Sequence, residues 1–254
     1  MLYTLISYIQ HNHDIHKSPT YVFFGDLQTA FPSTFKQQLL LCLADYGITG
    51  QLWQQLRTLH LHHEFRVVNG HIPSSSFVNI EKGLPEGGRL SPLEWCLYIA
   101  DLVHDLQRYF PHISLPPPQH LIYMAIILFM DDLCLIAHSP QEFFRLIQHT
   151  QNWCERRCLF SFSKSKVLTF FETPAQNHSR SHLAWQVMTH FPTPTYNTFN
   201  EVKKFCYICV ILDPTLSFHD HCTMIISRIW KDHASLRDKL QSVRTPSATL
   251  LFRL

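Results

Sequence analysis

Two adjacent aspartates, Asp131 and Asp132, lie between two apolar runs, residues 121–130 and 133–137. Short apolar runs favour strands, so this pattern predicts a β-hairpin with the acidic pair at its turn. Burying the two carboxylates together would be costly, because each disfavours the ionised form of the other. A divalent cation removes that cost, and Mg²⁺ and Mn²⁺ prefer oxygen ligands. The alternative is an ordinary turn, since aspartate is a common turn residue.

Two upstream segments extend this pattern. Residues 20–25 are typical of a buried strand that ends at Asp26, and a strand-end cap is the alternative role for that carboxylate. Residues 83–92 form a glycine-rich loop that leads into a helix. The chain therefore contains, in this order, a strand with an aspartate, a glycine loop with a helix, and two strands joined by paired aspartates.

In this order the three segments resemble the palm of the reverse transcriptase family, most of all that of non-LTR retrotransposons and group II introns. The family's Asp-x-x-x-Ala-Phe, Gly-x-Pro-Gln-Gly-x-x-Leu-Ser-Pro and Tyr-Ala-Asp-Asp segments are matched by residues 26–31, 83–92 and 129–132. Residues 161–167 are similar to its Asn-x-x-Lys-Thr-x-Val strand, and residues 205–209 to its Tyr-Leu-Gly hairpin near the primer. Each match alone is weak, whereas the ordered set is specific.

The resemblance implies an α+β fold, the right-hand polymerase palm, in which an antiparallel sheet is backed by helices. Residues 20–213 are expected to form this palm. Residues 1–19 are expected to be a remnant of the fingers or a lead-in, and residues 214–254 part of a thumb helix. Little of the fingers precedes Asp26, so a further expectation is that another chain supplies them.

The resemblance also implies an RNA-directed DNA polymerase that extends a DNA primer on an RNA template from deoxynucleotides (dNTPs). Such nucleotidyl transfer uses two divalent ions, one at the primer 3′-oxygen and one at the triphosphate. Asp26, Asp131 and Asp132 are the expected catalytic residues and the expected ligands of Mg²⁺ or Mn²⁺.

Four further residues are expected to contact the nucleotide. Phe31 matches an aromatic residue that lies under the sugar and excludes a 2′-hydroxyl, or it is an ordinary core residue. Lys164 matches a lysine near the incoming triphosphate, or it is a solvated charge. Gly87 lets the backbone approach the nucleotide. Glu86 replaces a glutamine, and a carboxylate cannot donate a hydrogen bond as an amide does.

Primer and template contacts are expected from Arg89 in the glycine-rich loop and from Tyr207, for which a buried hairpin position is the alternative. The region around Tyr207 also raises a weaker hypothesis of zinc binding, because cysteine and histidine are the usual zinc ligands. The side chains concerned are Cys206, Cys209, His219, His221 and Cys222.

The composition is that of a globular protein, with 46% apolar and 16% charged residues. The net charge of +2 excludes a strongly basic nucleic-acid protein, since such proteins carry a clear cationic footprint. Eight cysteines without a secretory signal favour a reducing intracellular compartment. The chain has no apolar run of about 18 residues, so no membrane span is expected.

Three functions remain open at this point. The first is a retroelement reverse transcriptase. The second is an inactive retroelement remnant that serves as a nucleic-acid-binding or structural module, which the short fingers, Glu86 and the weak positive charge favour. The third is an RNA-directed RNA polymerase, against which Phe31 argues because an RNA-making enzyme must accept the 2′-hydroxyl.

Local patterns predict where helices begin. Capping boxes at residues 34–37, 91–94 and 139–142 predict three helix starts. In the helix that begins near residue 91, Leu93 and Cys96 are expected to point inward with the other apolar residues.

Other patterns predict turns and loops. Asn69 and Gly70 are typical of a hairpin turn. Residues 1–10 are predicted to end a helix and to be followed by a loop. Residues 172–200 are predicted to be mostly loop, and residues 221–243 a final helix.

Overall fold

The computed structural model describes residues 1–27, 30–62, 64–65, 68–69, 72–73, 77–80, 82–111, 113–115, 122–157, 161–173, 176, 186–189 and 195–242. The helices in these ranges are α1 (Leu2–His16), α2 (Ala30–Ser33), α3 (Lys36–Asp45), α4 (Gly50–Leu61), α5 (Ser91–Tyr109), α6 (Pro140–Arg157) and α7 (His219–Ser242). The longer strands are β1 (Thr20–Asp26), β8 (Ile126–Phe129), β9 (Asp132–Ala137), β10 (Ser161–Phe170), β11 (Gln186–Thr189) and β12 (Thr195–Thr198). The shorter strands are β2 (Glu64–Phe65), β3 (Val68–Asn69), β4 (Ile72–Pro73), β5 (Val78–Asn79), β6 (Ser114–Leu115), β7 (Ile122–Tyr123), β13 (Asn200–Glu201), β14 (Phe205–Tyr207) and β15 (Val210–Leu212).

A five-stranded sheet forms the main layer, in the order β13, β10, β1, β9, β8. Strand β1 pairs antiparallel with β10 on one side and with β9 on the other. All of its residues before Asp26 are buried, as expected for a strand covered on both faces. The order of the sheet therefore places the end of β1 beside the start of β9.

The helices that back the sheet supply most of the large buried side chains. Trp95 and Tyr98 of α5 and Trp153 of α6 are almost fully buried, and the rings of Tyr98 and Trp153 meet edge to face. Leu5 and Ile9 of α1 are also fully buried. The predicted α+β architecture, a sheet backed by helices, is confirmed, and the sheet is antiparallel except for the parallel pairing of β13 with β10. Among the described helices, none is both long and apolar enough to cross a membrane.

The three predicted helix starts are confirmed to within one residue, but two of the predicted capping boxes are wrong. Helix α3 begins after Phe35 without a side-chain cap, because the Thr34 hydroxyl donates to the Ala30 carbonyl instead. Helix α5 begins at Ser91, whose hydroxyl donates back to the Pro85 carbonyl at 2.7 Å. The third box is confirmed in part, since the backbone N–H of residue 142 donates to the Ser139 hydroxyl.

The inward face of α5 also differs from the prediction. Leu93 is 59% exposed and Cys96 is exposed, whereas Glu94, Trp95 and Tyr98 are buried. A buried carboxylate was not expected on that face. It is accommodated because His60 of α4 lies 2.8 Å away, and apolar periodicity takes no account of such a partner.

The remaining local predictions are confirmed in part. Helix α1 extends to His16, further than predicted, and α7 lies where the last helix was expected. Strands β3 and β4 form the expected hairpin, although Gly70 lies outside the described residues. The predicted loop at residues 172–200 is wrong in part, because β11 and β12 pair with each other within it.

Candidate active site

The predicted acidic residues meet at one edge of the main sheet. Asp26, the last residue of β1, pairs with Asp132, the first residue of β9. Directly opposed residues in an antiparallel pair have Cβ atoms about 4.5–5.5 Å apart. The Leu27 N–H donates to the Asp131 carbonyl at 3.0 Å, which ties the turn to the end of β1. The hairpin predicted around the acidic pair is therefore confirmed.

The hairpin turn is strained and is held by a tryptophan. Phe129 pairs with Asp132, so Met130 and Asp131 form a two-residue turn. Met130 has φ 56°, a conformation that usually requires glycine at the first turn position. The buried Trp95 donates its indole N–H to the Met130 carbonyl at 2.9 Å. Sequence reasoning missed this role, because nothing in the pattern of α5 shows what its tryptophan contacts.

The site carries more negative than positive charge. Burial raises the pKa of Asp132, and the neighbouring charges of Asp131 and Asp26 raise it further. The Oδ2 atom of Asp26 is buried and makes no hydrogen bond among the described residues. The Lys164 ammonium lies 3.1 Å from that atom, close enough for an ion pair but without hydrogen-bond geometry. One buried carboxylate oxygen therefore still lacks a directional partner.

An irregularity in β10 places Lys164 beside Asp26. Phe24 pairs with Lys166, but Asp26 pairs with Ser161. An advance of two residues in β1 therefore corresponds to five residues in β10, which marks a bulge in that strand. Such bulges redirect side chains next to functional sites. The Lys164 side chain is 67% exposed, so only its ammonium end is tied to the acidic edge.

A cavity of about 160 Å³ brings four predicted site residues together: Asp26, Asp132, Lys164 and Tyr207 all line it. The Tyr207 hydroxyl is buried and makes no hydrogen bond among the described residues. Burial raises the pKa of Tyr207, with smaller contributions from Cys134 and Asp132. This tyrosine is therefore neutral, with an O–H that can still donate.

Two aromatic residues that sequence reasoning missed complete this cavity. Phe24 and Phe205 stack with ring centroids 4.5 Å apart, and Phe24 lies 4.9 Å from the Tyr207 ring. These contacts attach the β14–β15 hairpin to the main sheet beside the carboxylates. The apolar character of Phe205 suggested only a hairpin strand, because pairing between distant rings leaves no local signal.

The glycine-rich loop packs against the segment that follows Asp26. The Gly83 and Leu84 N–H groups donate at 2.8 Å to the carbonyls of Thr34 and Phe31. Gly83 has φ +94°, and a Cβ at this position would lie 2.9 Å from the Pro32 carbonyl oxygen. Only glycine fits there without strain.

The other predicted nucleotide and template residues do not line the carboxylate cavity. Phe31 is partly buried, with its ring centroid 5.9 Å from that of Trp95. Glu86, Gly87 and Arg89 are exposed. Glu86 lines a separate cavity of about 360 Å³ together with Gly83 and neighbouring residues.

The structure contradicts the zinc hypothesis but is compatible with a magnesium site at the carboxylate edge. Among the described residues, no group of three or more His, Cys, Asp or Glu side chains could hold a metal ion. The weak zinc hypothesis is therefore wrong, since all five of its residues are described. The carboxylate edge still fits Mg²⁺, which proteins often hold with one or two carboxylates plus substrate phosphates. Asp26 and Asp132 are the residues that meet this requirement, whereas the predicted three-aspartate set that includes Asp131 does not form a metal cluster among the described residues.

Comparisons with known proteins agree with this fold. The fold is similar to that of an apo telomerase from Candida tropicalis truncated from its C-terminal domain, with a TM-score of 0.58 and 9% identity over 84% of this chain and 38% of the telomerase chain. It is also similar to a Candida tropicalis telomerase in complex with a TWJ fragment of telomeric RNA, with a TM-score of 0.50 and 9% identity over 65% and 28% of the two chains. This chain thus corresponds to less than two fifths of the length of either telomerase.

No curated protein sequence matches this chain. The model of the family described as reverse transcriptase (RNA-dependent DNA polymerase) matches residues 2–212. Because that match extends over most of the chain and includes the whole acidic edge, the protein belongs to the reverse transcriptase (RNA-dependent DNA polymerase) family.

Proposed function

We propose that this chain is the polymerase palm of a retroelement reverse transcriptase, of the non-LTR or group II intron type. It would extend a DNA primer on an RNA template from dNTPs. The observation that carries the proposal is the pairing of Asp26 with Asp132 at one sheet edge, with Asp131 in the adjoining turn. Family membership supports the activity, and the telomerase solved with an RNA fragment supports an RNA partner.

The acidic residues would act as the cation-binding end of the palm. Asp26 and Asp132 would hold Mg²⁺ or Mn²⁺, and Asp131 would add negative charge. When bound, such ions activate the primer 3′-oxygen and stabilise charge on the triphosphate. A divalent cation would also coordinate the buried Oδ2 of Asp26, which makes an ion pair with Lys164 but no hydrogen bond among the described residues.

Lys164 and Tyr207 would serve the substrates. Because most of the Lys164 side chain is exposed, its ammonium can leave Asp26 and pair with a triphosphate oxygen when the carboxylate is neutralised. The neutral Tyr207 hydroxyl, in the same cavity, can donate to the primer end. Phe31, held against Trp95, would lie under the sugar.

The glycine-rich loop would contribute backbone and charge near the template. Gly87 and Arg89 are exposed there. Glu86 is the unfavourable residue, because a carboxylate repels phosphate and cannot donate a hydrogen bond. We therefore expect Glu86→Gln to increase the extension rate.

An inactive binding module is the second candidate. It is favoured by the exposed Glu86 in the loop and by the lack of a three-residue metal cluster among the described residues. Either function is compatible with an intracellular location, with residues 1–19 as a lead-in and residues 20–213 as the palm. Both also fit residues 214–254 as part of a thumb, of which 243–254 lie outside the described residues.

Primer extension on an RNA template with Mg²⁺ or Mn²⁺ tests the proposal. The parent chain should extend the primer, Asp132→Asn should abolish extension, and Asp14→Asn, at an exposed position on α1, should leave it unchanged. Folded parent protein that extends no primer under either metal, with Glu86→Gln equally inactive, would refute the polymerase and leave the binding module.

A further inference from the structure

A third and larger cavity lies apart from the carboxylate edge, and its lining includes a cluster of basic side chains. Its volume is about 590 Å³, which is within the range of small-ligand sites. Four of its lining residues are Lys36 on α3, His60 on α4, Lys82 before the glycine-rich loop, and Arg156 on α6. No aspartate or glutamate is among the described residues that line it. We refer to this cavity, with its four basic residues, as the basic cavity.

Lys36 is a buried cation without a carboxylate partner in this cavity. It is only 3% exposed, and its ammonium donates to the Ile80 carbonyl. Burial lowers the pKa of Lys36, because the charged form is desolvated. An anion in the cavity would offset that cost.

His60 presents an unused buried nitrogen. The residue is 1% exposed, and its Nε2 lies 2.8 Å from Oε1 of Glu94. An Nδ1 that carries a proton can donate to a phosphate oxygen, while Nε2 shares a proton with the Glu94 carboxyl group. Nδ1 is buried and has no hydrogen-bond partner in the described part of the chain. A buried polar atom without a partner in a cavity wall is a position where a water molecule, an ion or a ligand can bind.

Two exposed cations at the cavity complete the basic set. The Lys82 ammonium lies 4.5 Å from the centre of the Phe35 ring, and Lys82 is exposed. Arg156 is also exposed and uses its Nε to donate to the Asn152 carbonyl. The guanidinium group has further N–H donors in a fork that matches phosphate oxygens.

The basic cavity is continuous with the glycine-rich loop. Ile80 and Lys82 line both this cavity and the 360 Å³ cavity that contains Gly83 and Glu86. An extended strand that passes the loop could therefore continue into the basic cavity without crossing the carboxylate edge.

We propose that the basic cavity binds a phosphate group, namely a backbone phosphate of a nucleic-acid strand that passes the glycine-rich loop. Lys36 and His60 form its buried wall, and Lys82 and Arg156 close over the phosphate from the exposed side. This inference rests on the proposed function for the presence of a strand, whereas the phosphate chemistry is independent of catalysis. A free phosphate compound is the other source of the same group.

Binding without divalent cations tests this site separately from polymerisation. Fluorescence anisotropy of a labelled oligouridylate is measured in EDTA for the parent, for a K82Q/R156Q double variant and for a matched K17Q/R145Q double variant. Lys17 and Arg145 are exposed, and Arg145 lies on the same helix as Arg156. The buried Lys36 and His60 are left intact, since replacing them could unfold the protein.

We expect K82Q/R156Q to weaken binding about tenfold and to reduce the salt slope by about 0.7, the value for one phosphate of a single strand. K17Q/R145Q removes the same net charge and should retain parental affinity. Equal affinities for the two double variants, both folded by circular dichroism, would overturn the proposal.

Two further measurements distinguish a strand phosphate from a free phosphate compound, and the phosphate site from the polymerase activity. Pyrophosphate that displaces the oligonucleotide from the parent but not from K82Q/R156Q would show that a free phosphate compound occupies the site; no displacement would assign it to the strand. A binding difference without primer extension would uphold the cavity and reject the polymerase. Primer extension by the parent, with equal affinities for the two double variants, would support the polymerase and reject the phosphate site.

Discussion

The hydrogen bond from Trp95 to the acidic turn can be isolated, because α6 provides a matched tryptophan. The Trp95 indole N–H donates at 2.9 Å to the Met130 carbonyl. Trp153 is similarly buried, but its indole N–H has no hydrogen-bond partner among the described residues. Trp95→Phe and Trp153→Phe therefore remove the same atoms, and only the first removes a hydrogen bond to the turn.

The expected magnitudes differ for this reason. Shrinking a buried aromatic side chain and losing a hydrogen bond together should cost Trp95→Phe about 2–4 kcal/mol of unfolding free energy. In Trp153→Phe the packing loss is offset by removal of an unpaired buried donor, so we expect about 0–2 kcal/mol. Trp153 also packs against Arg157 at 4.9 Å, a contact that phenylalanine retains in weaker form.

Urea unfolding measures the two free energies, with equal m-values showing that the same transition is compared. Primer extension under conditions where both variants are folded then reports on the turn. Trp95→Phe should extend more slowly than Trp153→Phe, because the Met130 carbonyl no longer holds the turn that carries Asp131. Equal losses of stability and equal extension rates in the two variants would refute this role for Trp95.

Three further predictions concern charge and backbone strain. Burial alone would raise the pKa of Asp213, but hydrogen bonds from residues 215 and 217 lower it to about 2. Asp213→Asn should therefore lower the free energy of unfolding by on the order of 2 kcal/mol at pH 7. This difference disappears as the pH falls from about 4 to about 2. Asp132 has a raised pKa, so its ionised form lowers the stability of the fold at neutral pH. Asp132→Asn should therefore raise the Tm without divalent cations and abolish the further rise in Tm that Mn²⁺ gives the parent. An unchanged response to Mn²⁺ would contradict the role of Asp132 as a ligand. Gly83→Ala should destabilise the protein by about 2 kcal/mol or more, because its Cβ would meet the Pro32 carbonyl. Gly50→Ala, at a position with positive φ but open space, should destabilise it by only about 1 kcal/mol. Thermal melts that rank the two variants in the opposite order would exclude the clash.

Sequence patterns predicted the elements whose signal is local. The strand that ends at Asp26 and the hairpin around Asp131 and Asp132 follow from apolar runs interrupted by charge, and both are confirmed. Local geometry also favoured the helix start at Ser139, where the hydroxyl caps the backbone three residues on. In each of these cases the group that determines the conformation lies within a few residues in the chain.

Helix caps and helix faces failed where a distant partner competed for the same group. The Ser91 hydroxyl donates to the Pro85 carbonyl rather than capping α5, and Glu94 is buried because His60 arrives from another helix. A capping box or an apolar periodicity describes what one segment prefers alone. It does not include the free energy of a hydrogen bond to a segment far away in the chain.

Thus the identity and order of the acidic residues were determined by the chain itself, together with the strands that carry them. Only the tertiary structure decided that Asp26 would face Asp132, that the β10 irregularity would bring Lys164 to 3.1 Å from Asp26, and that Trp95 would hold the turn. The physical reason is that strand register and side-chain contacts across the core depend on pairing between distant segments, and local sequence preferences do not specify that pairing.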